Sequence, residues 1–135
     1  MPRNVIADSS ALVALVRHDD QHHFWLNQHI DTLPSPWITC EAALSEVFHL
    51  IGPRGTPKIV EMLRRRAVVV AFNLDAELVP VLTLMDKYAD LPMSLADACL
   101  VRMSETLPDP MVVTTDADFK IYRRHSRQMI PCLRP

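Results

Sequence analysis

Short apolar runs, two of them ending close to an acid, alternating with segments of helical periodicity, constrain this chain more than any other feature. Asn4-Val5-Ile6-Ala7 ends at Asp8. Val68-Val69-Val70 and Met111-Val112-Val113-Thr114 are similar runs, rich in β-branched residues. All three are too short for helices and read as buried strands. Between them apolar residues recur at helical spacing, as in Leu44, Val47, Phe48 and Ile51. Strands that alternate with helices build a parallel sheet covered on both faces, so the fold class is α/β.

The finer reading places helix starts at polar caps. Ser9 or Ser10 caps a helix through Leu12, Val13, Leu15 and Val16. Asp19 and Asp20 start a second, with Phe24, Trp25 and Ile30 inward. A Pro-bearing stretch over 33–38 holds a short strand. Thr39 caps a helix over 41–51, which Gly52, Pro53 and Gly55 stop, and Thr56-Pro57 opens another. Asp75 caps a helix to about Tyr88, and Ser94 caps one over 95–105. Asp116 to Tyr122 is a short helix, and Met129-Ile130-Pro131 a last edge strand.

A length of 135 residues suits one hydrophobic core, so residues 1–135 are expected to form a single domain. Disorder is excluded by 49% hydrophobic residues. Only 2 glycines are present, which argues against a Gly-rich phosphate-cradling loop and against a chain of hairpins. Gly52-Pro53-Arg54-Gly55 lacks the Gly-Lys-Ser/Thr of such a loop and reads as a turn. The net charge of −2 rules out nucleic-acid binding by bulk charge. Any such contact needs local basic patches or bound metal. Cys40, Cys99 and Cys132 form no CxxC pair and read as small buried side chains of a protein from a reducing cytoplasm. Asn4 and Asp8 interrupt any leader-like start, and no apolar run reaches the roughly 18 residues of a membrane span.

Four acids stand out by position. Asp8 and Asp116 lie just beyond two strand ends, where open α/β sheets bind ligands. Glu46 lies inside an apolar helix, and Asp97 in the first turn of an apolar one. Charge in such surroundings is costly unless compensated, and a shared hard cation such as Mg²⁺ or Mn²⁺ would offset it. Singly, each acid also reads as a cap, a partner for the helix dipole or half of an ion pair.

The sequence resembles the PIN-domain family, and within it VapC-type toxins of toxin–antitoxin pairs. The likeness rests on Val5-Ile6-Ala7-Asp8-Ser9-Ser10-Ala11-Leu12, on Ile38-Thr39 followed by Glu46, on Ser94-Leu95-Ala96-Asp97-Ala98, and on Val112-Val113-Thr114-Thr115-Asp116-Ala117-Asp118-Phe119. It covers essentially the whole chain. It implies a three-layer fold with a small parallel sheet of about four to five strands between helices. It also implies metal-dependent cleavage of RNA with Mg²⁺ or Mn²⁺, a cognate antitoxin and a homodimer. Asp8, Glu46, Asp97 and Asp116 map onto the family's acidic quartet, with Asp118 a further metal candidate. Ser10 or Thr114 supplies a hydroxyl beside the metal.

Lys120, Arg123, Arg124 and Arg127 follow the fourth acid and are the better candidates for RNA contact; Arg64-Arg65-Arg66 reads as a solvated helix end. His18 and His22 are four apart and could share a helix face, but with no HExxH and no Cys partner His18, His22, His23 and His29 read as surface residues, and Trp25 and Trp37 as core or dimer residues. Three rival readings remain. An aspartyl phosphohydrolase would use Asp8 but want a second Asp where Ser10 stands. The others are a non-catalytic PIN-like module binding RNA or protein, and a DNA-directed nuclease.

Overall fold

The computed structural model describes residues 3–135. Strand β1 (Asn4–Ala7) leads into α1 (Ser9–Val16), α2 (His23–His29) and β2 (Trp37–Thr39). Then follow α3 (Glu41–Arg64), β3 (Val68–Val70), α4 (Leu78–Lys87), α5 (Leu95–Thr106) and β4 (Pro110–Val113). A 3₁₀ turn at Ala117–Lys120, the hairpin of β5 (Arg123–Arg124) and β6 (Gln128–Met129), and β7 (Cys132–Leu133) complete the chain.

The main sheet has the order β3-β2-β1-β4-β7, and every pairing in it is parallel. One face packs Ile6 and Val112 against α4 and α5, through Val81, Leu84, Leu100 and Met103. The other packs Val5, Ala7 and Val113 against α1, α2 and α3, through Leu12, Leu26, Val47 and Ile59. Successive strand residues point to opposite faces, so β1 and β4 contribute to both cores. The three-layer α/β architecture is therefore as expected. Full burial of a Leu such as Leu12 is worth about 1.5–3 kcal/mol, and α1, apolar on nearly every side, is stable only when enclosed this way.

The chain proceeds outward from β1 through β2 to β3, then returns to place β4 on β1's other side. The connections diverge at the carboxyl ends of β1 and β4, and ligands of open α/β sheets bind at such a point.

Several local boundaries differ from those read in the sequence. Asp8, not Ser9 or Ser10, caps α1. Thr39 caps nothing: its hydroxyl donates to the Ala7 carbonyl at 2.9 Å, stitching β2 to β1, and Cys40 holds the cap position of α3. The helix over 41–51 does break at Gly52 (φ 67°, ψ −173°), as expected, so α3 is two helical segments across a kink; the second starts at Pro53 rather than at Thr56-Pro57, because the missing N–H and fixed φ of Pro53 suit a helix start. Helix α2 starts at His23, after Asp20 has closed a turn through the His22 N–H; Trp25 and Ile30 pack against the core as expected, but the fully buried residue is Leu26 and Phe24 is 74% exposed. Helix α4 starts at Leu78, because Asn73 rather than Asp75 organises the preceding turn by accepting from the Ala76 N–H. The edge strand is β7, while Gln128–Met129 pairs with β5.

Candidate active site

Asp8 follows β1 directly and is 3% exposed. Its Oδ1 accepts from the Ser9 N–H at 2.7 Å. Its Oδ2 accepts from the hydroxyls of Ser10 at 2.8 Å and Thr114 at 2.6 Å. Thr114 follows β4, the strand paired with β1, so the sheet register itself brings these two residues together. Each hydroxyl has one proton and spends it on Asp8; their own oxygens accept from the Thr115 N–H at 3.0 Å and the Asp116 N–H at 2.9 Å. The sequence left the hydroxyl role between Ser10 and Thr114, and the structure places both on the same carboxylate oxygen. Burial pushes the Asp8 carboxyl above its ordinary value, Asp116 adds to the rise, and the three donors oppose it.

Asp116 caps the 3₁₀ turn, its Oδ1 accepting from the Asp118 N–H at 2.9 Å. Asp118 thus serves the turn through its backbone, while its own carboxylate remains half-buried nearby. Asp97 stands in the first turn of α5. Its Oδ2 accepts from the Ser94 N–H while its own N–H donates to Ser94 Oγ, a reciprocal capping box. Burial, then the neighbouring charges of Asp8 and Asp116, pushes the Asp97 carboxyl up to about 6. Three acids from three elements therefore feel one another's charge.

Glu46 reaches the group from α3, accepting from the Ser9 hydroxyl at 2.7 Å. Ser9 links it to Asp8, whose Oδ1 lies 3.4 Å from the same hydroxyl. The sequence reading passed over Ser9 as a site residue. The doublet Ser9-Ser10 after the strand acid was the available signal, since consecutive residues at a helix start point different ways and serve two partners.

Residues 5–124 match the PIN domain. The chain belongs to the PIN-domain family. No curated protein sequence matches it. Its fold is similar to the crystal structure of VapC20 from Mycobacterium tuberculosis, described as a sarcin–ricin loop cleaving toxin. The TM-score is 0.77 at 19% identity, over 87% of this chain and 94% of the other.

Among the described residues, no three His, Cys, Asp or Glu side chains stand close enough to hold a metal ion together. The oxygen-only donor set of this PIN domain still fits a hard cation that keeps several waters, for which one or two direct carboxylates suffice. Asp8 meets that description: buried, with both oxygens fixed in direction by donors and with one acceptor direction left, on Oδ1.

Tyr122 is a second residue the sequence reading missed. Wholly buried, it packs edge-on against Phe119 and Tyr88, and its hydroxyl donates to Asp97 Oδ2 at 3.3 Å. No local pattern marks it, because its partner lies 25 residues earlier. The basic residues that follow differ in availability. The Arg123 guanidinium donates to the carbonyls of Lys120, Ile121 and Tyr122, bracing the turn. Arg124 is half-buried, whereas Lys120 and Arg127 are exposed.

Proposed function

We propose that this chain is a divalent-metal-dependent endoribonuclease, the toxin of a toxin–antitoxin pair. The observation that carries this reading is Asp8, buried at the carboxyl end of β1 with its carboxylate fixed by three hydrogen-bond donors, and near enough to Asp97 and Asp116 to feel their charge. Membership of the PIN-domain family and the likeness to a toxin said to cleave the sarcin–ricin loop support it.

Asp8 would be the central ligand for Mg²⁺ or Mn²⁺, with at most one of Asp97 and Asp116 bound directly and the other, like Asp118, joined through water. When bound, the ion neutralises the phosphodiester and lowers the pKa of a water that attacks it. Ser10 and Thr114 hold the Asp8 carboxylate in one orientation as charge is exchanged in front of it. Ser9 fixes the Glu46 carboxylate toward the same space, where it takes a proton from the attacking water or orients it. Tyr122 and the Ser94 N–H hold Asp97 from behind. Lys120, Arg123, Arg124 and Arg127 give the RNA its cationic contacts, with Lys120 and Arg127 the freest to do so.

The same reading carries a homodimer, a cognate antitoxin that blocks the site, one domain over residues 1–135 and action in the cytoplasm. Among the described residues no helix is long and apolar enough to cross a membrane.

The test is cleavage of total RNA and of small structured RNAs by the purified chain with Mg²⁺ or Mn²⁺, beside EDTA and an Asp8→Asn control. Cutting that both controls abolish supports the reading. RNA left intact in the presence of metal sinks it in favour of a binding module. Cutting that survives Asp8→Asn puts the site elsewhere, and phosphate trapped covalently on Asp8 would establish the phosphohydrolase instead. Preferential cutting of DNA would replace RNA as the substrate.

A further inference from the structure

Both glycines of this chain, Gly52 and Gly55, sit within one turn of the bend in α3, and neither belongs to the acidic site. Gly52 has φ +67°, which side-chain-bearing residues rarely adopt, and the space where its Cβ would stand is open. At Gly55 a Cβ would lie 2.8 Å from Ile51 Cβ, so the absent side chain lets the two halves of the helix close on each other. The bend forms one wall of a surface cleft of about 830 Å³, the volume of a pocket for a sizeable ligand.

The chemistry of this cleft is one-sided. Its floor is apolar, with Val16 and Ile51 nearly buried. Its rim carries Arg17, His18, Arg54 and Lys58 against one acid, Asp19. Arg17 is already engaged, donating to both oxygens of Asp19 at 3.0 and 2.7 Å and to the Leu50 carbonyl at 3.3 Å. Arg54 and Lys58 carry the uncompensated charge. They are exposed and four residues apart on one helix, hence on one face. Lys58 Nζ donates to His18 Nε2 at 3.1 Å, and His18 stacks edge-on with His23, so the ammonium is held in place rather than left free. In a chain of net charge −2, this is a local basic patch of the kind that nucleic-acid contact requires.

Helix α1 joins this cleft to the acids. It begins with Ser9 and Ser10 at the acidic site and ends with Val16 in the cleft floor. Its 8 residues span about 12 Å. Helix α3 makes the same connection, carrying Glu46 at one end of the path and Arg54 at the other. A polyanion seated on the acids through metal and extended along these helices meets the second positive site within a few nucleotides.

We propose that the cleft at the bend of α3 is a phosphodiester-binding subsite for single-stranded RNA, with Arg54 and Lys58 on the phosphates and the apolar floor under the sugar or base. The choice of RNA as the polyanion rests on the ribonuclease reading; the cationic cleft itself does not. A single strand is favoured because its bases are free to turn toward an apolar floor while its backbone tracks the charges.

The test is fluorescence anisotropy of a labelled single-stranded RNA oligonucleotide with the full chain in EDTA, so that binding is read without cleavage. It is run from low to physiological salt on wild type, on Arg54→Gln/Lys58→Gln, and on Arg64→Gln/Arg66→Gln as an equal loss of charge elsewhere. All four residues are exposed, so both variants keep the core intact. Removing two phosphate contacts should flatten the slope of log affinity against log salt by about 1.4 and weaken binding at low salt by on the order of tenfold. A slope equal to wild type overturns the subsite, as does an equal loss in Arg64→Gln/Arg66→Gln. Displacement of the RNA by poly-glutamate at lower charge concentration overturns it in favour of an acidic protein segment. Cleavage assayed in parallel separates the two readings. A flattened slope with no cutting keeps the subsite and removes the ribonuclease, whereas metal-dependent cutting with an unchanged slope does the reverse.

Discussion

Replacing Asp97 by Asn should make the metal-free protein more stable while abolishing its activity. Asp97 is 9% exposed, and burial with the charges of Asp8 and Asp116 raises its carboxyl from 3.8 to about 6. At about 1.36 kcal/mol for each tenfold, that rise corresponds to about 3 kcal/mol against the ionised folded form. Water reaching the carboxylate screens part of it, leaving about 1–2 kcal/mol. The sign follows from proton counting. Between pH 3.8 and about 6 the folded state holds a proton that the unfolded chain has lost, so wild-type stability falls as pH rises through that window. Above it the penalty is complete. Asn carries no charge, yet keeps an oxygen for the Ser94 N–H and the Tyr122 hydroxyl, so the capping box survives. With an unfolding entropy of about 2.1 cal/mol/K per residue, 1–2 kcal/mol is about 4–7 °C for this chain. Thermal melts in EDTA at pH 7.5 and at pH 4 read it directly. A Tm gain of this size at pH 7.5 that shrinks toward zero at pH 4 is the expected result. An Asp97→Asn Tm equal to or below wild type at pH 7.5 would show that ionised Asp97 is not under strain. A gain of equal size at both pH values would give it a cause other than charge.

Further expectations concern the neighbouring residues. Thr114→Val removes a 2.6 Å donor to a buried carboxylate and strands the Asp116 N–H, so it should destabilise the fold by about 2–3 kcal/mol, with Thr114→Ser restoring most of the loss in denaturant titrations. Saturating Mn²⁺, at about 100 times its Kd, should stabilise wild type by about 2.7 kcal/mol. The same Mn²⁺ titration on Asp8→Asn should give little or no Tm shift, and an equal shift would place the ion elsewhere. Gly55→Ala should cost about 1–3 kcal/mol, because its Cβ meets the Ile51 Cβ at 2.8 Å within the helix; a neutral effect in a urea melt would show that the bend yields easily.

The sheet and its site were legible to different depths. Val68–Val70 forms a strand as read, and the run Met111 to Thr114 does so one residue earlier, at Pro110–Val113, because a buried parallel strand needs little besides a short stretch of apolar, β-branched residues. Ser94 is a cap as read, because a capping box is a contact between residues three apart. Thr39 was misread for the opposite reason. A hydroxyl before a helix looks like a cap, but a strand register 32 residues away offered it the Ala7 carbonyl. Phe24 was misread because helical periodicity gives a spacing but not a phase. The neighbouring Leu26 found the buried position against α1, and Phe24 was left in solvent.

What the sequence determined by itself is the part encoded in neighbouring residues: alternating strands and helices, acids at strand ends, and the motifs that carry the family likeness. Each depends on local spacing and burial tendency, which a linear pattern holds. The tertiary structure alone decided which groups meet. It paired β1 with β4 so that Thr114 reaches Asp8 across 106 positions, turned Ser9 toward Glu46, and brought the Tyr122 hydroxyl to Asp97. Such contacts follow from strand register and helix packing over long separations, and those are fixed only when the whole core closes.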